Sequence, residues 1–109
     1  MLMAVRKLNV RTADSEVSVE VRLFKPINDE EMWVCNYEIE WPDRTKKMFG
    51  AGVDAIQAIQ TALNNIGIQL YTSEYHKNGQ LSWTSAGGGY GFPLAKNVRD
   101  LSIGNDLDL

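Results

Sequence analysis

The sequence predicts an α+β domain: a mainly antiparallel sheet, made of a four-strand meander and a short C-terminal strand, with one long helix packed on one face. Three observations carry this expectation. Val17, Val19, Val21 and Leu23 alternate with Ser18, Glu20 and Arg22, the period of a half-buried strand. Ile56, Ile59, Leu63, Ile66 and Leu70 recur at alternating three- and four-residue spacing, the period of an amphipathic helix. Four strands precede the helix and only a short one follows it, an order that gives no βαβ unit, so the sheet is expected to be mainly antiparallel.

Taken in order, residues 3–12 form a first strand, with Ala4, Leu8 and Val10 on one parity and Val5, Lys7 and Asn9 on the other. Ala13-Asp14-Ser15 supplies turn residues before the valine strand. Pro26 to Glu30 reads as a loop. Beyond it Trp33, Cys35, Tyr37, Ile39 and Trp41 share the core parity, while Asn36, Glu38 and Glu40 take the other. Pro42-Asp43 turns the chain into a fourth strand over 44–49, whose Arg44, Lys46 and Lys47 are placed to face Glu38 and Glu40 across the hairpin. The helix spans about 53–71, with Asp54 as its capping or first-turn acid and the isoleucine–leucine stripe turned to the sheet. Leu81-Ser82-Trp83 is a short strand, and residues 87–93 form a glycine-rich loop. Residues 1–94 are read as one domain, and residues 95–109 as a flexible, solvated tail.

Bulk properties narrow the function classes. With 109 residues, 44% hydrophobic and 23% charged, the chain suits one globular core. A net charge of -3 argues against nucleic acid and anionic membrane surfaces as partners. Cys35 is the single cysteine, which leaves no disulfide framework or cysteine-rich zinc site. The N-terminal residues lack a signal-peptide core and no segment has the length of a membrane span, so a cytoplasmic location is expected.

Several chemistries are suggested and then withdrawn. Gly50-Ala51-Gly52-Val53-Asp54-Ala55 fits a dinucleotide-binding pattern, but the strand before it carries three basic residues and Asp54 would set negative charge against a pyrophosphate. A tight strand-to-helix turn is the better account. The glycines at 87–89 and 91 lack the spacing of a phosphate loop and no helix follows them. His76 reads as a solvated residue near the helix end, Cys35 as an inert core thiol, and Asp106 with Asp108 as part of a solvated acidic tail. Trp33, Tyr37 and Trp41 read as core rather than as a stacking platform. No catalytic residue, cofactor site or metal site is assigned.

One surface oddity remains. From Ala55 to Ser73 there is no Asp, Glu, Lys or Arg. The outward flank offers Gln57, Gln60, Thr61, Asn64 and Asn65 beside a stripe of Ala55, Ala58 and Ala62. Neutral amides are cheaper to bury than charges, and alanines let another backbone come close. This flank is the candidate partner interface, for a second copy or another protein, unless the segment after residue 80 folds over it.

The set Gly52-Val53-Asp54-Ala55-Ile56-Gln57-Ala58, Ile66-Gly67, Leu81 with Trp83, and Gly91-Phe92-Pro93 resembles a family of small bacterial proteins classed as a domain of unknown function. The resemblance covers roughly residues 3–94 and implies a bacterial source; it brings no activity and no catalytic residue. The expected function is therefore non-catalytic protein binding, with toxin-neutralising immunity as its sharpest form. The alternatives are a small-molecule binder using a cleft at Trp83, Tyr90 and Phe92, and a hydrolase built around His76.

Overall fold

In the computed structural model, which describes residues 1–109, β1 (Leu2–Arg11) and β2 (Glu16–Phe24) form an antiparallel hairpin. Its turn is closed by the Thr12 hydroxyl, which donates to the Ser15 carbonyl and accepts from the Ser15 amide. Lys25-Pro26 then breaks the strand, because proline has no N–H for the ladder. The chain resumes as β3 (Ile27–Asp29), turns at Glu30-Glu31, and returns as β4 (Met32–Glu40). Glu30 takes a positive φ of 58° in this tight turn. The sequence predicts a loop over 26–30. Three residues with one proline just before them carry too little alternation to reveal a strand.

β2 and β3 pair with the same edge of β4, at Val21–Leu23 and Ile27–Asp29, while β5 (Thr45–Gly52) pairs along its other edge. β6 (Leu81–Ser82) adds to β1 only at Asn9 and Val10. The result is an open, antiparallel six-stranded sheet with one main helix, α1 (Ala55–Tyr71), packed against it. A single turn, α2 (Glu74–Lys77), follows.

The start of α1 is fixed by reciprocal caps. Asp54 Oδ1 accepts from the Gln57 amide at 2.8 Å, and Gln57 Oε1 accepts from the Val53 amide at 2.7 Å. Its end is fixed by the Thr72 and Ser73 hydroxyls, which donate to Ile68 O and Leu70 O.

The face of α1 that meets the sheet differs from the expected stripe. Ala58, Ala62, Ile66 and Leu70 are fully buried, whereas Ile56 is 67% exposed and Ile59 and Leu63 are only partly covered. The cause lies in β5. A Cβ on Gly50 would collide with the backbone of Ala62, and one on Gly52 would lie 2.5 Å from the Ala58 nitrogen. Two glycines facing two alanines bring the helix axis close to β4 and β5, and the bulkier stripe is rotated aside. The glycine pattern that mimics a dinucleotide site is thus a packing device: the tight turn expected there is made by Val53 and Asp54, and Gly50 and Gly52 themselves lie in β5. Ala58 and Ala62, expected beside a partner interface, instead receive the protein's own strand.

Away from α1, the inner face of β1 and β2 is covered by the C-terminal segment. Leu8, Val10, Val19 and Val21 are buried in one cluster with Tyr90, Phe92 and Leu94. Residues 95–109 form two 3-10 turns, at Lys96–Leu101 and Gly104–Asp108; most of them are solvated as expected, while Val98, Ser102, Ile103 and Asp106 turn inward.

Candidate functional site

The tail docks through one carboxylate. Asp106 is 2% exposed; its Oδ2 accepts from the Tyr71 hydroxyl at 2.6 Å and the Tyr90 amide at 2.8 Å, and its Oδ1 from the Gly91 amide at 2.7 Å. Tyr71 in turn accepts from the Ile103 amide at 3.2 Å. Gly89 passes against the same carboxylate at φ 88°, where a Cβ would lie 2.6 Å from Asp106. The sequence reading of Asp106 as solvated is therefore corrected. An acid in a short polar tail gives no local sign of burial, because all its donors come from residues 15 to 35 positions earlier.

Tyr90 links this lock to His76. Its hydroxyl lies 2.5 Å from His76 Nδ1, and the Tyr71, His76 and Tyr90 rings pack edge-on or tilted at 4.9 to 5.6 Å. His76 is half-buried rather than solvated, and burial lowers its pKa from the ordinary 6.5. Burial, with Asp106 nearby, pushes the Tyr90 phenol up to about 12, and burial also raises Tyr71. Both phenols stay protonated at neutral pH. Beside this pair is a cavity of about 250 Å³, lined in part by Arg11, Glu16, Gln80 and Ser82.

Trp83, Tyr90 and Phe92 do not enclose a cleft. Arg6 fills the place between two of them, its guanidinium 4.1 Å from the Trp83 ring centre and 4.8 Å from that of Phe92. Its Nη1 donates to Tyr90 O at 3.2 Å and Gly91 O at 2.9 Å. Tyr90 and Phe92 are buried.

The uncharged helix flank is partly in use. Gln57 caps the helix start and Asn64 Oδ1 accepts from the Ala95 amide at 2.6 Å. Gly67 beside it touches Leu94. Gln60 is exposed, and Thr61 and Asn65 are partly so. The alternative that the later chain folds over this flank is realised at its C-terminal half.

The sheet face away from α1 was not singled out from sequence. It divides into a charged half and an apolar half. In the charged half Arg22 bonds Glu20 at 2.9 Å, Glu38 at 3.1 Å and Glu40 at 2.9 Å. Lys47 lies opposite Glu38 across the hairpin as expected, whereas Lys46 is opposite Ile39 and Thr45 opposite Glu40; the cation that bonds both glutamates is Arg22, from the neighbouring strand β2. In the apolar half a groove of about 380 Å³ is lined by Phe24, Ile27, Asn36, Glu38, Lys47 and Phe49, with Met1 at one end. Ile27 and Phe49 are each 54% exposed. The alternation of β5 marks Phe49 as outward-facing, but only the pairing of β2, β3, β4 and β5 places it beside Phe24 and Ile27.

Cys35 is buried in the core, its thiol donating to Phe24 O at 3.3 Å, and burial pushes its pKa up. No group of three or more His, Cys, Asp or Glu is arranged to hold a metal ion. No helix is long and apolar enough to cross a membrane.

Fold and site together define a small α+β domain, one helix on an antiparallel sheet, latched shut by its own C-terminal segment. The chain belongs to the family described as a domain of unknown function (DUF6968), whose profile matches residues 4–94. No curated protein and no solved structure matches it.

Proposed function

We propose that the protein is a non-catalytic protein-binding domain whose contact surface is the apolar half of the open sheet face. The carrying observation is the groove between Phe24, Ile27 and Phe49, with half-exposed aromatic and aliphatic side chains and a rim of Lys25, Lys47 and Glu38. Contiguous apolar surface with a polar rim is what interfaces present. The groups capable of acid–base chemistry, by contrast, are engaged with one another: Asp106 with Tyr71, and Tyr90 with His76. Toxin neutralisation is one form of this role; the three carboxylates around Arg22 would face a basic partner.

Affinity capture from source-cell lysate with wild type, Phe49→Asp and Gln60→Glu tests the surface. The expected result is one partner held by wild type and Gln60→Glu and weakened about tenfold or more by Phe49→Asp, the loss of at least about 1.4 kcal/mol. Undiminished capture by Phe49→Asp removes the open face from the reading. Loss with Gln60→Glu instead moves the contact to the helix flank.

The cavity beside His76 favours a second reading, a small polar ligand held by Arg11, His76 and Ser82. A ligand whose thermal shift disappears in His76→Ala would support it.

A further inference from the structure

Building on the small-ligand reading of the cavity beside His76, we propose that this cavity takes a zwitterion: an α-amino acid whose carboxylate meets Arg11 and whose ammonium meets Glu16.

Arg11 and Glu16 are the last pair in the β1–β2 register, and both line the cavity. Opposite charges directly across two strands attract, and Arg22 on the same sheet holds three carboxylates. Arg11 and Glu16 instead stay apart, and neither forms an ion pair with any other side chain. The Arg11 guanidinium reaches only the Gly79 carbonyl, at a long 3.5 Å. Its backbone, by contrast, is clamped: Arg11 N donates to Gln80 O at 2.9 Å, and Gln80 Nε2 donates to Arg11 O at 2.8 Å. The arginine is fixed at its root with its donors unspent at the tip.

The other lining groups are neutral. Burial lowers the His76 pKa from 6.5, so the imidazole carries no charge at neutral pH. The protonated Tyr90 phenol has no acceptor other than His76 Nδ1, so the imidazole proton sits on Nε2 as a neutral donor. Ser82 adds a hydroxyl. One arginine and one glutamate therefore leave the wall without net charge, and a ligand carrying both signs satisfies both. A simple anion would bring its charge to Glu16, and a simple cation to Arg11, with nothing gained in return. The guanidinium fork also matches a carboxylate in two parallel hydrogen bonds.

Size narrows the class further. A volume of about 250 Å³ falls below the about 300–1,000 Å³ of sites for drug-sized ligands. Leu81, Tyr90 and Ile103 supply an apolar part of the wall, suited to a short side chain. Ile103 belongs to the C-terminal segment, and its amide is tied through the Tyr71 hydroxyl to Asp106, so the tail completes the cavity.

Isothermal titration calorimetry of the full chain with L-alanine, L-serine, L-valine and L-leucine, and with the N-acetyl and amide derivatives of each, tests the class. At least one free amino acid should bind wild type. Its N-acetyl and amide derivatives should bind about tenfold or more weakly, and Arg11→Gln and Glu16→Gln should each weaken the free amino acid by about as much. Both residues are exposed, so the variants should fold, as a thermal melt would show. Equal binding of either derivative, undiminished binding by either variant, or no binding by any of the four amino acids overturns the proposal. A derivative that binds wild type but not His76→Ala overturns the zwitterion and leaves the small-ligand reading standing. Binding of a free amino acid that His76→Ala leaves unchanged overturns both.

Discussion

Replacing Asp106 with Ala removes three short bonds at once and leaves their donors, the Tyr71 hydroxyl and the Tyr90 and Gly91 amides, without an acceptor. Hydrogen bonds to a charged group contribute about 1.5–3 kcal/mol each, and an orphaned buried donor costs about 1–3 kcal/mol. The three share one carboxylate and water can enter as the exposed 3-10 turn loosens, so the losses do not add in full. A net loss of about 3–5 kcal/mol follows, a large part of the about 5–15 kcal/mol available to a domain. At about 4–8 °C per kcal/mol for a domain near this size, the midpoint should fall by roughly 12–40 °C. Urea unfolding followed by the three tryptophans reads the change directly. The slope should fall as well if the tail has left the body before the main transition. Asp106→Asn keeps one acceptor but turns an N–H₂ toward a backbone donor, and should lose about half as much. A loss below about 1 kcal/mol for Asp106→Ala would refute the lock.

Gly50→Ala should cost about 1–3 kcal/mol by forcing α1 off β5, where overpacking has no room to relax; alanine in an unconstrained strand would cost nothing, so an unchanged urea midpoint would reject the close approach. His76 has its pKa lowered by burial from 6.5, so above about pH 6.5 it contributes no pH dependence. Below that value the unfolded chain takes up a proton that the folded chain refuses, and stability falls at up to about 1.4 kcal/mol per pH unit until the folded-state pKa is reached. His76→Asn should flatten this slope between about pH 6.5 and 5, before carboxylates titrate, and parallel profiles for the two proteins would refute the assignment.

The sequence carried the fold well where periodicity is long. The alternation in β2 and β4, the helix and its Asp54 cap all follow from local pattern, and the structure has them. What it could not carry is pairing between distant residues. The rotation of α1 is set by two glycines on another strand, so the stripe ending at Leu70 was legible but the exposure of Ile56 was not. Glu38 and Glu40 were recognisable as needing cations, yet Arg22 takes them, because β2 lies against β4 as closely as β5 does. Phe49 looked like one residue of a short strand; its neighbours Phe24 and Ile27 come from elsewhere in the chain. The absence of charge on α1 was real in sequence, and part of its cause is now physical: Gly67 is buried against Leu94, where a charged side chain would have neither room nor water, and Asn64 accepts from the Ala95 amide.

The matched family span ends at residue 94, and the lock crosses that boundary. Its three donors, on Tyr71, Tyr90 and Gly91, lie within the span, while the acceptor Asp106 lies beyond it. A chain cut near residue 94 would hold a buried tyrosine hydroxyl and two amides with nothing to receive them, and would have to hydrate them by opening the Tyr71–Tyr90 contact. That contact also seats His76 and, through the Tyr90 and Gly91 carbonyls, Arg6. The tail, His76 and Arg6 all meet at Tyr90 and Gly91, so residue 94 marks where sequence likeness stops, and the hydrogen bonds of the fold cross it.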